Sequence, residues 1–242
     1  MPTAISFDIV RVGDQLGLVY ELLDADTLSA CVRREPDRVD EFARLYAALF
    51  RQLHAIHVPL GSSIPSALDV VTAAIHSISR YFDTPSIDLM LSIVGSIPQD
   101  DRLLHCDLQS KNAMIQGDEM MLIDMGEVGY GHPLIDLGNS YSAMVSLIGP
   151  YEDIIGLPRE LGADLWQRMI GYYFEGLTGG DLNHRIEQIR VASLIRNFSW
   201  LSLSDSFPEA LIRDCQQLFD ERVTRNKHHI LDVCRTFNDF TI

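Results

Sequence analysis

The stretch His105-Cys106-Asp107-Leu108-Gln109-Ser110-Lys111-Asn112, followed by Ile123-Asp124-Met125-Gly126, holds the residue types that phosphoryl transfer needs. That chemistry takes one carboxylate to orient an attacking hydroxyl and receive its proton, and oxygen ligands to hold Mg²⁺ against nucleotide phosphates. Asp107, Asn112 and Asp124 supply those types, with Asn112 five residues after Asp107.

Such residues act together only if the chain folds back between them. The apolar pair Leu103-Leu104 places His105 at a strand end. Ala113-Met114-Ile115 and Met120-Met121-Leu122-Ile123, joined by Gln116-Gly117-Asp118-Glu119, predict a compact hairpin. This hairpin returns Asp124 towards Asp107 and Asn112.

Around this centre the pattern is mostly helical. Alternation at Ile5, Phe7 and Ile9, a turn at Gly13-Asp14-Gln15 and a second run, Leu16 to Leu22, predict an N-terminal hairpin. Asp24-Ala25-Asp26-Thr27 then breaks the strand. Helical stripes follow at Phe42, Leu45, Leu49, Leu53 and Ile56, and at Leu68, Val71, Ile75, Ile78 and Phe82. Thr84-Pro85-Ser86 interrupts the second, and Ile87, Met90, Leu91 and Val94 begin another. Gly129, Gly131 and Pro133 mark a loop before a helix entered at Ile135-Asp136-Leu137-Gly138, with Tyr141, Met144, Val145 and Ile148 on one side. From Pro158 onward the pattern is helical almost throughout, with breaks at Gly179-Gly180 and Phe207-Pro208.

Composition narrows the function classes. With 47% apolar and 22% charged residues, 242 residues bury a substantial core as a soluble globular protein. Nineteen Lys+Arg against 34 Asp+Glu gives a net charge of −15, which disfavours nucleic acid and anionic membranes and suits a cationic or amine-bearing small molecule. Cys31, Cys106, Cys215 and Cys234 form no C-x-x-C pair, so reduced thiols in the cytoplasm are expected. The N-terminus lacks the basic flank and apolar run of a signal peptide, and no segment is long and apolar enough to span a bilayer. His54 and His57, three apart at a helix end, and His228-His229 are read as packing and surface charge, because no third metal ligand accompanies them.

His105-x-Asp107-x-x-x-x-Asn112, Ile123-Asp124-Met125-Gly126 and Gly131-His132-Pro133-Leu134-Ile135-Asp136-Leu137 resemble the aminoglycoside phosphotransferase and choline kinase family, within the protein-kinase-like fold. Cys106, a small residue after the His, points to the small-molecule kinases of that fold rather than to protein kinases. The resemblance covers roughly residues 5 to 200. It implies an α+β, mostly helical protein: a kinase-like large lobe over residues 24–242 carrying the catalytic loop, and a short β-hairpin remnant of the small lobe and hinge over residues 1–23. It makes Asp107 the catalytic residue, Asn112 and Asp124 the nucleotide-binding Mg²⁺ ligands, and His105 and Asp136 the braces of the loop. The cofactors implied are ATP or GTP with Mg²⁺. Glu127 and Lys111 lie close in sequence to the site and receive no role, Lys111 being read as a solvated loop lysine. Glu152, Asp153, Glu160, Asp164 and Glu175 are the loosest candidates for recognising an amine, with solvated surface the competing reading.

The sequence departs from the family at its start. The family's small lobe, with a glycine-rich loop and a strand lysine, takes roughly 60 residues or more. Here 20 residues precede Glu21, and no lysine precedes Lys111. Three explanations stand: a start assigned too late or a truncated gene, a small lobe supplied by another chain, or a degenerate relative that only binds ligand. A lone hairpin also implies an exposed apolar edge, covered by a homo-oligomer or a partner. Two functions follow as expectations. One is an ATP-dependent phosphotransferase acting on a hydroxyl of a small, amine-bearing molecule. The alternative is a catalytically impaired ligand-binding or interaction module.

Overall fold

The computed structural model describes residues 3–147, 149–204 and 206–242, so Ile148 of the expected helical face lies outside it. An antiparallel hairpin opens the fold: β1 (Ser6–Val12) pairs with β2 (Gln15–Tyr20), Val12 facing Gln15 across a Gly13-Asp14 turn. Gly13 takes φ 62°, where a side chain would be strained. Both faces of this ribbon are solvent-exposed along almost its whole length.

The next residues correct the sequence reading. Strand β2 ends at Tyr20, ahead of the expected break, but Asp26–Thr27 of that break forms β3, which pairs with Met114 and Ile115 and enlarges the central hairpin to three strands. Thr27 then caps α1 (Leu28–Arg34) by accepting from the Ala30 amide. Helix α2 (Val39–His54) has the expected amphipathic stripe, burying Phe42, Tyr46, Leu49, Phe50 and Leu53, and it ends before Ile56. Asp40 and Glu41 in its first turn and Arg51 and His54 in its last complement the helix dipole.

Helix α3 spans Ala67–Ser77, and α4 spans Thr84–Gly95. The two helices are separate, as expected, but the break lies just before Thr84, which opens α4. Asp83 accepts from the Ser86 amide as the N-cap, and Pro85 sits in the first turn, where its missing N–H costs nothing. Strand β4 (Arg102–Leu104) pairs antiparallel with β7 (Gly129–Gly131), a segment whose glycines read as loop. Between them β5 (Ala113–Gln116) and β6 (Glu119–Leu122) form the anticipated hairpin.

The remainder is helical: α5 (Leu134–Tyr141) running into a π turn at Ser142–Ser146, α6 (Tyr151–Ile155), α7 (Arg159–Tyr173), α8 (Gly179–Ser199), α9 (Glu209–Arg222) and α10 (Lys227–Cys234). The Gly179-Gly180 pair therefore lies in the first turn of α8 rather than between helices. Two packings position the site. Helix α2 lies along α7, and α5 crosses α8 so closely that a Cβ on Gly138 would come within 3.1 Å of the Ser193 backbone nitrogen.

Candidate active site

Strand β4 delivers His105, and the chain then turns sharply at Cys106, with φ 58°. Hairpin β5–β6 carries it out and back in the register Ala113 to Leu122, and Ile123 N–H donates to Asn112 C=O at 3.0 Å. Asp124 follows at φ 59° and ψ 54°. Among the described residues, Cys106 and Asp124 are the two non-glycines with positive φ. Each such conformation costs of order 1–3 kcal/mol and persists only where its surroundings over-determine it.

Those surroundings centre on Asp136, a fully buried residue of α5. Its Oδ2 accepts the backbone N–H of His105 at 2.9 Å and its Oδ1 that of Cys106 at 2.6 Å. Nε2 of the equally buried His54, at the end of α2, lies 3.2 Å from Oδ2, and the Tyr173 hydroxyl of α7 lies 2.8 Å from Nδ1. A proton on His54 Nε2 donates to Asp136 and leaves Nδ1 to accept from Tyr173. Asn139, one turn along α5, donates to Cys106 C=O at 2.8 Å. His105 spans the loop from the other side: its Nδ1 accepts the Asp107 amide at 3.4 Å, and its Nε2 donates to Ile123 C=O at 2.9 Å, next to Asp124.

Asp107, Asn112 and the segment carrying Asp124 meet at the loop's open side. Asn112 Nδ2 donates to the Asp107 backbone oxygen at 2.8 Å and to Asp107 Oδ2 at 3.2 Å. That turns Asn112 Oδ1 away from Asp107, and among the described residues neither it nor the exposed Asp124 carboxylate has a hydrogen-bond partner. Free carboxylate and amide oxygens are a donor set that fits Mg²⁺, a hard cation that takes oxygen ligands and keeps several waters. Arg196 of α8 approaches the other Asp107 oxygen, Oδ1, at 3.3 Å and Glu127 at 3.7 Å. Burial pushes the Cys106 thiol far above its usual range, so it stays neutral.

The other residues marked by the sequence lie elsewhere. Lys111 Nζ donates to the Asp153 backbone oxygen at 2.6 Å. His57 is exposed and pairs with Asp101 at 2.5 Å, away from its helix neighbour His54. Glu175 pairs with Arg51, and Asp164 with Arg168. Glu152, Asp153 and Glu160 line an open polar surface cleft with Arg159. The sequence reading gives Tyr173, Asn139 and Arg196 no role and takes His54 as helix-end packing or charge, and His54 is indeed buried against Phe50 and Tyr173. Asp136 and Asn139, three residues apart and so on one helix face, are the signal for Asn139.

A model of the phosphotransferase enzyme family matches residues 8–172. No curated protein matches the chain significantly by sequence. Among solved structures, a choline/ethanolamine kinase family protein from Mesorhizobium loti is similar, at 15% identity over 97% of this chain and 79% of that one, with a TM-score of 0.52. An ethanolamine kinase from Plasmodium vivax is similar at 19% identity and a TM-score of 0.57; the match covers 89% of this chain but 65% of the kinase. A thermostable mutant of an aminoglycoside phosphotransferase, in ternary complex with ADP and hygromycin B, matches at 14% identity over 98% of this chain and 76% of that one, with a TM-score of 0.51. These likenesses show the protein-kinase-like fold, and the family model spans well over half of the sequence: the chain belongs to the phosphotransferase enzyme family.

Proposed function

We propose that the chain transfers the γ-phosphate of a nucleoside triphosphate, ATP before GTP, to a hydroxyl of a small molecule. In this reading the acceptor oxygen forms a bond to the γ-phosphorus, the bond from that phosphorus to the bridging oxygen of ADP breaks, and the hydroxyl proton passes to Asp107. Asn112 through Oδ1 and Asp124 through its carboxylate hold Mg²⁺, which when bound neutralises phosphate charge. Arg196 and Asn112 fix the Asp107 carboxylate from its two oxygens, and His105 and Asp136 hold the loop in its left-handed turns. Catalysis here is positioning and electrostatics, so such bracing acts on rate directly.

The observation that carries this reading is that Asn112 Nδ2 holds the Asp107 carboxylate while the Asn112 backbone oxygen accepts from Ile123, the residue before Asp124, whose carboxylate has no partner among the described residues. The ADP in the aminoglycoside phosphotransferase complex supports adenine as the base. An amine-bearing acceptor draws no support from the carboxylates proposed for it, which are paired or face another cleft. The four cysteines are free thiols, and no helix among the described residues is long and apolar enough to cross a membrane.

One observation favours a binding module instead. Lys111, in the same loop as Asp107 and Asn112, donates to the Asp153 backbone carbonyl at 2.6 Å and so is not free for the phosphates. A Mg·ATP thermal-shift titration beside phosphate release by the wild type and Asp107→Ala separates the two. The enzyme reading expects stabilisation by Mg·ATP and release that the substitution removes. Stabilisation with equal background rates would favour the module, and neither effect would sink both.

A further inference from the structure

A cavity of about 350 Å³ opens between α3, α4, α8 and the Gly126–Gly129 segment. That lies at the small end of the roughly 300–1,000 Å³ typical of ligand pockets. Its walls are apolar: Leu68, Val71 and Ala74 from α3, Val94 from α4, Ile195 from α8, and Trp200 just beyond. Polar groups enter where Cys106, Glu127, Asn139 and Arg196 line it, and Arg196 reaches on to Asp107 Oδ1 at 3.3 Å.

The charge of this lining decides what fits. Glu127 is the one carboxylate among the described residues that line it; it lies 3.7 Å from Arg196, whose guanidinium also meets Asp107 at 3.3 Å, so both carboxylates at this end already share a cation. Trp200 is the one aromatic side chain there among the described residues, too little for a cage around a quaternary ammonium. A cation entering these walls loses water without gaining an unpaired carboxylate, whereas an apolar group gains by leaving water.

We propose that this cavity is the acceptor pocket and takes an uncharged alcohol with an apolar body of one ring or a short branched chain, its hydroxyl turned towards Asp107 and Arg196. The proposal rests on the phosphotransferase reading for what happens to that hydroxyl, but binding itself needs no nucleotide.

Matched pairs test it on the full chain. Choline is compared with (tert-butyl)ethanol, in which carbon replaces the quaternary nitrogen, and a second pair carries a phenyl ring between alcohol and head group. Binding is read by calorimetry and by Trp200 fluorescence, with Trp200→Phe as the control. The expected result is that each neutral alcohol binds at least about tenfold tighter than its cationic twin. Ala74→Phe, which fills the cavity, should abolish binding of the larger neutral alcohol, and Val71→Glu, which installs a carboxylate, should reverse the order within each pair. Circular-dichroism melting of both variants establishes that they fold, and either variant alone suffices for the comparison. Equal or tighter binding of choline, or no binding of either twin, would overturn the proposal. Neutral alcohols that bind but receive no phosphate from Mg·ATP would contradict the phosphotransferase reading and leave the pocket standing. Transfer to choline without binding of its neutral twin would do the reverse.

Discussion

Asp136 Oδ1 accepts the backbone N–H of Cys106 at 2.6 Å, holding a non-glycine residue at φ 58° immediately before Asp107. The carboxylate also serves His105 N–H and His54, all without solvent. In Asp136→Asn an amide nitrogen replaces one acceptor and faces a donor, leaving buried groups unpaired. We expect a loss of about 3–5 kcal/mol in urea unfolding and loss of any phosphoryl transfer in the folded fraction. Tyr173→Phe removes only the outermost hydroxyl of the chain and is expected to cost about 1–2 kcal/mol. Equal stabilities for wild type and Asp136→Asn would remove the brace from the account.

Helix α8 brings Arg196 to Asp107 because Gly138 lets α5 approach it. The Cβ of Gly138→Ala would meet Ser193 N at 3.1 Å and the Ala192 carbonyl carbon at 3.2 Å, both backbone atoms that yield only if the helices part. The variant is expected to be about 1–3 kcal/mol less stable. A melting temperature at or above that of the wild type would show that the crossing tolerates the methyl.

His132 is buried against Phe240, its Nδ1 accepting the Leu134 amide at 3.2 Å. Burial lowers its pKa from 6.5 to about 4. Between those values the unfolded chain binds a proton that the folded chain does not. The stability of the neutral, buried form is therefore complete above pH 6.5 and is lost as the pH falls towards about 4, by about 3 kcal/mol for this group. Urea unfolding of the wild type and His132→Asn over that window should show the two curves converging as the pH falls. Parallel curves would mean that His132 is not held neutral.

The β1–β2 ribbon exposes Phe7 by 66%, Val12 by 71% and Leu16 by 69%. An uncovered apolar ribbon of this kind is prone to pair with another edge. Sedimentation is expected to show concentration-dependent association of the chain, reduced in Phe7→Lys with Leu16→Lys. A monomer at all concentrations would contradict it.

Much of the centre was legible because it is local. His105, Asp107 and Asn112 lie in one loop, and the turn at Gly117-Asp118 between two apolar runs announced the hairpin that returns Asp124. The groups that hold and line the centre were not legible, because packing alone brings them there. Arg196 is 89 residues from Asp107, and His54 is 82 from Asp136. His54 carried only the signal of a helix-terminal histidine, and nothing distinguished Tyr173 or Arg196 from any other aromatic or charge on a helix. Asp26–Thr27 misled for a related reason: Asp26, of low strand propensity, is recruited with Thr27 by β5, whose open edge supplies the pairing.

The central claim is that Asp107 orients a hydroxyl for attack on a nucleotide phosphate. Its most direct test is single-turnover transfer of labelled γ-phosphate from Mg·ATP to a panel of small alcohols, comparing the wild type with Asp107→Asn, which keeps the shape and removes the base. The account predicts a phosphorylated alcohol from the wild type, formed about 10²–10⁴-fold more slowly by the variant. Equal transfer by both proteins, or none by the wild type with any alcohol that binds, would contradict it.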